Sequence, residues 1–487
     1  MNPLYDLVQL REIEQRHAVE GLMEKAGLAA AGMARKLLRE HEYSVLVLAG
    51  PGNNGGDALV AARHLKAAWH QVTVVFTGDR AKLPADAAAA YDAWVVAGGE
   101  LRTEIPPHGR WQLVIDGLFG IGLSRELDTR YCGLIGQVNA LGLPVLAVDI
   151  PSGLCTATGR VLGAVIKASH TLSFIGLKPG LFTLDGPDHA GEVHLETLGL
   201  EIDNVRAAGS LIDQPPALPL PRKLNSHKGS HGSVGVVGGA QHMAGAAILA
   251  SRAALLLGAG RVYCGLLASQ PLALDTAQAE LMLRDAASVP TLSNVLAVGP
   301  GMGVSSAAMA ILHEVLAHPQ SLVLDADALN LVAEHLELQQ KLKWRAAGST
   351  VLTPHPGEAA RLLGCSNAEV QADRIASALK LAHGYQVAVV LKGCGSIIAL
   401  PDGRWFVNRS GNPGMASAGM GDTLCGIIAA LLAQSMDMEQ AVLLGVYLHG
   451  AAADALVGRG IGPIGLTAGE VASSARELLN RWVYGKA

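Results

Sequence analysis

The segment Val45-Leu-Val-Leu-Ala-Gly-Pro-Gly-Asn-Asn-Gly-Gly-Asp57 constrains the fold of this chain more than any other. A short apolar run breaks into glycine, asparagine and aspartate, and helical spacing then resumes through Ala58–Leu65. That pattern predicts a buried parallel strand, a loop and a helix N-terminus, the place where an α/β fold holds a phosphate-bearing ligand. Gly52, Gly55 and Gly56 would let backbone approach a ligand with no Cβ in the way. Asn53, Asn54 and Asp57 add side-chain oxygens and amides. Gly, Asn and Asp also form ordinary βα turns, but two asparagines and an aspartate together exceed what a turn needs.

Alternation of short apolar runs with helical stretches continues along all 487 residues, a length that predicts two or three domains. Expected strands are 44–48, 72–76, 113–115, 145–148 and 170–174, after a helical lead over about 8–40. A second series falls at 233–237, 261–264, 295–298, 322–324, 387–391 and 396–400, with a helix at 244–257. Both halves read as parallel sheets covered by helices on both faces. Between them, Asp213-Gln-Pro-Pro-Ala-Leu-Pro-Leu-Pro-Arg222 places four prolines in ten residues, which predicts a stiff linker. The expected domains are therefore 1–212 and 223–487, joined by residues 213–222.

Only 16% of residues are charged and the net charge is -5, with no basic stripe, which argues against nucleic acid as a partner. Six scattered cysteines form no CxxC pair and suit a reducing, cytoplasmic setting. The charged N-terminus lacks a signal-peptide core, and no apolar run reads as a bilayer span, so no membrane is expected.

In the first half, two further strand ends carry an aspartate. Asp116 ends 113–115 and leads into Gly117-Leu-Phe-Gly-Ile-Gly-Leu-Ser-Arg-Glu126; Asp149 ends 145–148 and leads into Ile150-Pro-Ser-Gly153. Loops at the carboxyl ends of parallel strands converge on one crevice. Asn54, Asp116 and Ser152 offer only oxygen donors, which favours an alkali cation or magnesium over zinc. In the second half, Asn412-Pro-Gly-Met-Ala-Ser-Ala-Gly-Met-Gly-Asp422 runs straight into an apolar helix. Its free N–H groups suit a transferring phosphoryl group, and Asp422 stands beside them in the first turn. Val389-Val-Leu-Lys-Gly-Cys-Gly-Ser396, Leu352-Thr-Pro-His-Pro-Gly-Glu358 and Val298-Gly-Pro-Gly-Met-Gly303 add three more constrained strand ends.

The first-half motifs, with Thr171-Leu-Ser-Phe-Ile-Gly-Leu-Lys-Pro-Gly180, resemble the YjeF N-terminal family of NAD(P)H-hydrate epimerases over about residues 8–210. The resemblance implies a Rossmann-like domain that contacts the hydrated nucleotide through Asn53, Asn54, Gly55, Gly56, Asp57, Gly120, Ile121, Gly122, Leu123, Ser124, Arg125, Glu126 and Asp149. It also implies potassium held by Asn54, Asp116 and Ser152. Asp149 is the expected acid/base for inverting C6; Lys178 is a second candidate, and equally reads as a solvated lysine in a turn. The second-half motifs, with Asn225-Ser-His-Lys-Gly-Ser-His-Gly232, Gly258-Ala-Gly-Arg-Val262 and Asp325-Ala-Asp-Ala-Leu-Asn330, resemble the ribokinase-like ADP-dependent NAD(P)H-hydrate dehydratases over about 223–487. That implies substrate contacts at Ala246, Gly303, His355 and Asp422. It also implies nucleotide contacts at Lys392, Gly393, Cys394, Gly395, Ser396 and Gly421, with magnesium and ADP. Ala279 stands where the family carries proline.

Together the resemblances imply a bifunctional repair enzyme, expected as a homo-oligomer. One half interconverts R and S hydrates of NADH and NADPH (NADHX and NADPHX); the other dehydrates the S form, giving AMP and phosphate from ADP. Two other readings remain open: a small-molecule kinase fused to a sensor domain, and a non-catalytic nucleotide sensor.

Overall fold

The computed structural model describes residues 1–202 and 205–485. The chain separates into two compact units, divided between Gly209 and Ser210.

The N-terminal unit is built on a seven-stranded sheet. Its strands are β1 (Ser44–Ala49), β2 (Gln71–Phe76), β3 (Leu101–Arg102), β4 (Leu113–Gly117), β5 (Val145–Val148), β6 (His170–Phe174) and β7 (Glu192–Glu196). They lie in the order β3-β2-β1-β4-β5-β6-β7, and every pair is parallel. The order reverses between β1 and β4, so a crevice opens beyond their carboxyl ends. Val45, Leu46, Val47 and Leu48 are all fully buried, because side chains on both faces of β1 meet covering helices. The helical lead is two helices, α1 (Leu7–Arg16) and α2 (Leu22–Leu37), not one. Gly21, at φ +66°, breaks the run, since a right-handed helix cannot continue through that conformation.

The polar loop after β1 is shorter than expected. Helix α3 (Asn53–Ala67) already starts at Asn53, so the asparagines and Asp57 occupy its first two turns. Gly55 and Gly56 serve packing: a Cβ on Gly55 would lie 2.1 Å from the Gly50 carbonyl oxygen, and one on Gly56 would lie 2.6 Å from Met23. Likewise a Cβ on Gly50 would lie 1.8 Å from the Leu118 carbonyl oxygen, so the loops after β1 and β4 touch backbone to backbone.

Within residues 209–485 the second sheet runs β8 (Gly209–Ile212), β17 (Trp405–Asn408), β16 (Ile397–Ala399), β15 (Ala388–Leu391), β14 (Thr350–Leu352), β13 (Ser321–Leu324), β12 (Val295–Val298), β9 (Ser233–Gly238), β10 (Arg261–Leu266) and β11 (Met282–Asp285). Most pairs are parallel, but β15, β16 and β17 form an antiparallel ribbon. Strand β8 precedes the proline-rich segment yet pairs with β17. Helices α4 (Ala244–Leu256), α5 (Asp327–Glu334), α6 (Pro356–Leu363), α7 (Met420–Ala433), α8 (Met438–Gly458) and α9 (Ala468–Tyr484) flank the sheet. Contrary to the sequence expectation, α8 is long and apolar enough to cross a membrane by length and composition. It is a core helix: 67% of its apolar window is buried, and Leu444, Leu448 and Ala452 sit in the main cluster.

Candidate active sites

A cleft of about 970 Å³ opens at the carboxyl end of the first sheet. Asn53, Asn54, Asp57, Asp149 and the run from Gly120 to Arg125 line it, as do Glu14 and Lys178. Gly55, Gly56 and Glu126 do not. The first helical bond of α3 runs from the Gly56 N–H to the Gly52 carbonyl, 3.2 Å, so the N–H groups of Asn53, Asn54 and Gly55 precede the ladder at the cleft's edge.

Asn54, Asp116 and Ser152 come together around one backbone turn. The Ser152 hydroxyl donates to Asp116 Oδ1 at 2.6 Å and the Ser152 N–H to Oδ2 at 2.8 Å. Asn54 Nδ2 donates to the Phe119 carbonyl at 3.0 Å, and the Phe119 N–H donates to Ser152 Oγ at 2.9 Å. Burial pushes the Asp116 carboxyl up to about 6, against the pull of the Ser152 hydroxyl and the Ser152 and Leu118 N–H groups. A fully buried carboxylate amid neutral oxygen donors is a place where a cation offsets the desolvation cost.

Asp149 stands across the cleft in a left-handed backbone conformation, φ +67°, which costs roughly 1–2 kcal/mol for a residue with a Cβ. The Lys178 ammonium donates to Asp149 Oδ1, to Ser173 Oγ at 2.9 Å and to the Phe174 carbonyl at 2.8 Å. The Phe174 N–H also donates to Oδ1, at 3.1 Å. Lys178 is 1% exposed and all three of its protons are directed, so the solvated-turn reading of this residue fails. Nearby, burial and then the Asp149 charge hold Glu14 above its usual range, and the same two causes raise Asp57 well above it. Sequence reading missed Glu14, which sits on an ordinary amphipathic helix with no motif around it.

The second site forms where β13, β14 and β15 end against the start of α7. Gly419, at φ +86°, turns the chain into α7, and Asp422 lies in its first turn. The Lys392 ammonium donates to Asp325 Oδ1 at 2.6 Å and lies 4.0 Å from Glu358. A Cβ on Gly421 would lie 3.1 Å from Lys392 Nζ and 3.6 Å from Asp325 Oδ2, so glycine there leaves the lysine a path to the helix N-terminus. The Thr353 hydroxyl fixes Asp325 from behind at 2.9 Å.

Electrostatics join the remaining groups. Burial, then the charge of Asp325, push Asp422 up to about 6, with Lys392 opposing. Glu358 is pushed up to about 7 by burial, again opposed by Lys392. His355 caps α6, accepting from the Gly357 N–H at 3.0 Å, and its own N–H donates to Glu358 at 2.7 Å. Burial, then Lys392, hold that imidazole below its usual range. The Gly303 N–H donates to Asp327 at 2.8 Å, and Ala246 approaches Gly301, where an added Cβ would lie 3.0 Å away.

The loop Gly393-Cys394-Gly395-Ser396 is largely self-contained. The Ser396 hydroxyl donates to the Gly393 carbonyl at 3.1 Å, and the buried Arg374 backs the loop with a bond to the Gly395 carbonyl at 3.4 Å. Asp325, Asp327 and Glu358 were absent from the expected site residues. The repeated Asp-Ala-Asp at the end of an apolar strand was the signal for two of them.

Residues 19–180 match the family described as YjeF-related protein N-terminus, and residues 234–468 match the NAD(P)H-hydrate dehydratase family. The chain is 39% identical to the bifunctional NAD(P)H-hydrate repair enzyme Nnr of Escherichia coli (strain K12), over 96% of this chain and 90% of that one. Its counterpart in Coxiella burnetii is 38% identical, over 99% of this chain and 100% of the relative. A solved structure of the ADP/ATP-dependent NAD(P)H-hydrate dehydratase of Bacillus subtilis, co-crystallized with ATP/Mg2+, is 29% identical, covering 54% of this chain and 95% of that one with a TM-score of 0.47. The two family matches fall in order on one chain, and its relatives align over nearly their whole length: the chain belongs to the bifunctional NAD(P)H-hydrate repair enzymes.

Proposed function

We propose that the N-terminal cleft interconverts R and S hydrates of NADH and NADPH, and that the second site dehydrates the S form at the expense of ADP. The Asp149–Lys178 pair carries the first half of this reading. A hydrated nicotinamide bears its hydroxyl on C6, beside the ring nitrogen, and inverting that carbon needs hydroxide loss and return, or ring opening. Either route moves a proton, and a positioned acid/base typically contributes about 10²–10⁴ in rate. Asp149 presents the carboxylate while Lys178 and the Phe174 N–H hold it from one side. The α3 N-terminus and the Gly120–Arg125 loop supply groups for the dinucleotide phosphates and riboses.

The oxygen cluster fits potassium. Asn54, Asp116 and Ser152 would hold it, and when bound it supplies positive charge next to the loop that carries Phe119.

In the second site Asp422 takes the proton of the C6 hydroxyl as that oxygen attacks the terminal phosphorus of ADP. The phosphorus–oxygen bond to AMP breaks, and Lys392 and the α7 N–H groups stabilise the transferring charge. The ring nitrogen's lone pair then expels phosphate from C6, and loss of a proton from C5 restores the dihydronicotinamide. Asp325 and Glu358 offer the hard oxygen donors that suit magnesium, which shields charge on the nucleotide phosphates when bound. Lys392, wedged between these carboxylates, supports phosphoryl chemistry over simple nucleotide binding. Each compact unit holds one complete site, so each is proposed as a catalytic domain, at work in a reducing cytoplasm that keeps the six thiols free.

The test is incubation of the intact chain with purified R-hydrate and ADP, following NADH absorbance and AMP together. Equal yields of NADH and AMP are expected. A phosphorylated hydrate that persists would establish the kinase reading instead.

A further inference from the structure

The first sheet carries another polar cluster at the end remote from the cleft. His170 is the first residue of β6, at the opposite end of the strand from Phe174. The parallel register sets His170 against Glu192 and Leu172 against His194. With side chains alternating along each strand, His170, Glu192 and His194 all project from the same face. Nδ1 of His170 lies 3.2 Å from Nε2 of His194, and the rings stack at 5.4 Å between centroids, 28° from parallel. The Glu192 carboxylate sits over both, with Oε2 3.8 Å from Nδ1 of His170 and Oε1 3.8 Å from Nε2 of His194.

A hydrogen bond between the rings explains only part of this arrangement. It engages one proton and leaves the carboxylate beyond hydrogen-bonding distance of both nitrogens. A shared metal ion explains all three groups. Two imidazole nitrogens on a tetrahedral zinc, each about 2.0–2.1 Å from it, stand about 3.3 Å from one another. The observed 3.2 Å between the ring nitrogens already meets that requirement. One Glu192 oxygen has to swing inward to reach the same ion, and its side chain is 65% exposed, with room to move.

We propose that His170, His194 and Glu192 bind one divalent transition ion of the zinc class, with water in the remaining position, and that the ion ties edge strand β7 to β6. Two imidazoles in a set of three favour such an ion over magnesium or calcium. Strand β7 ends the sheet, and a cross-strand clamp at its start opposes fraying of an edge that has a neighbour on one side only. The cluster shares no residue with the oxygen set around Asp116, so the two cation sites are separable by experiment.

The test uses the metal-stripped full chain and zinc chloride. Equilibrium dialysis should give one more zinc per chain for the wild type than for the His170→Ala/His194→Ala variant. Zinc should raise the thermal midpoint of the wild type and leave that of the variant unmoved. His194→Gln keeps a hydrogen-bonding side chain in place, so its circular dichroism should match the wild type while the same zinc is lost. Equal zinc stoichiometry in wild type and either folded variant would overturn the proposal.

Discussion

The two sites hold the aspartates proposed as their proton carriers in opposite ways. Asp149 is clamped: a buried lysine and a backbone N–H converge on one oxygen, and the residue itself sits in a left-handed conformation. Among the described residues Asp422 has no such clamp. It stands in the first turn of α7, pushed up to about 6 by burial and by Asp325, with Lys392 the opposing charge. The contrast follows from the chemistry. Epimerisation acts on one molecule at one carbon, so the carboxylate must be held in a fixed pose. Phosphoryl transfer brings two anionic partners together, and a balanced field of carboxylates and one lysine accepts their charge as it moves.

The sharpest way to break the contrast is to neutralise each aspartate. Asp149→Asn should lower epimerisation by about 10²–10⁴-fold and leave dehydration of S-hydrate intact; normal epimerisation would shift the proton to another group, Lys178 or Glu14. Asp422→Asn should lower dehydration by about 10²-fold or more with little change in ADP affinity. Loss of ADP binding with turnover preserved would make Asp422 a binding residue. Next in size is the pH response. The proposed role of Asp422 requires its base form, so dehydration should fall by about tenfold per pH unit once the pH drops below its pKa of about 6. A flat profile through that region would remove Asp422 from the proton step.

A smaller effect concerns the cation. Epimerisation should respond to potassium and ignore a zinc chelator, and Asp116→Ala should blunt the potassium response. Smallest is a cut at the linker. Residues 210–487 should be more stable than 223–487, because the shorter piece lacks β8 and leaves β17 as a bare edge. Equal thermal midpoints would make β8 dispensable.

The strand-and-loop punctuation was the legible part of this fold. Val145–Val148, His170–Phe174 and Val295–Val298 are strands over the residues that the apolar runs marked. Leu101–Arg102 and Thr350–Leu352 are too short to carry a pattern, and Trp405–Asn408 closes an antiparallel ribbon that strand–helix alternation does not announce. At the sites, motif residues such as Asn54, Asp116 and Ser152 do converge. What sequence could not show was direction: Gly55 and Gly56 face backbone and Met23 instead of the cleft, and Lys178 points inward to Asp149. The His170–His194 pair, set together by strand register, carried no motif at all.

The central claim is that two complete sites, each with its own proton carrier, work in series on a diffusing substrate. Mixing the Asp149→Asn and Asp422→Asn chains with R-hydrate and ADP tests it directly. The Asp149→Asn chain alone should form NADH no faster than spontaneous epimerisation allows, the Asp422→Asn chain alone only at its residual dehydration rate, and the mixture should restore steady conversion with matching AMP. A mixture that stays as slow as the single variants would contradict the account.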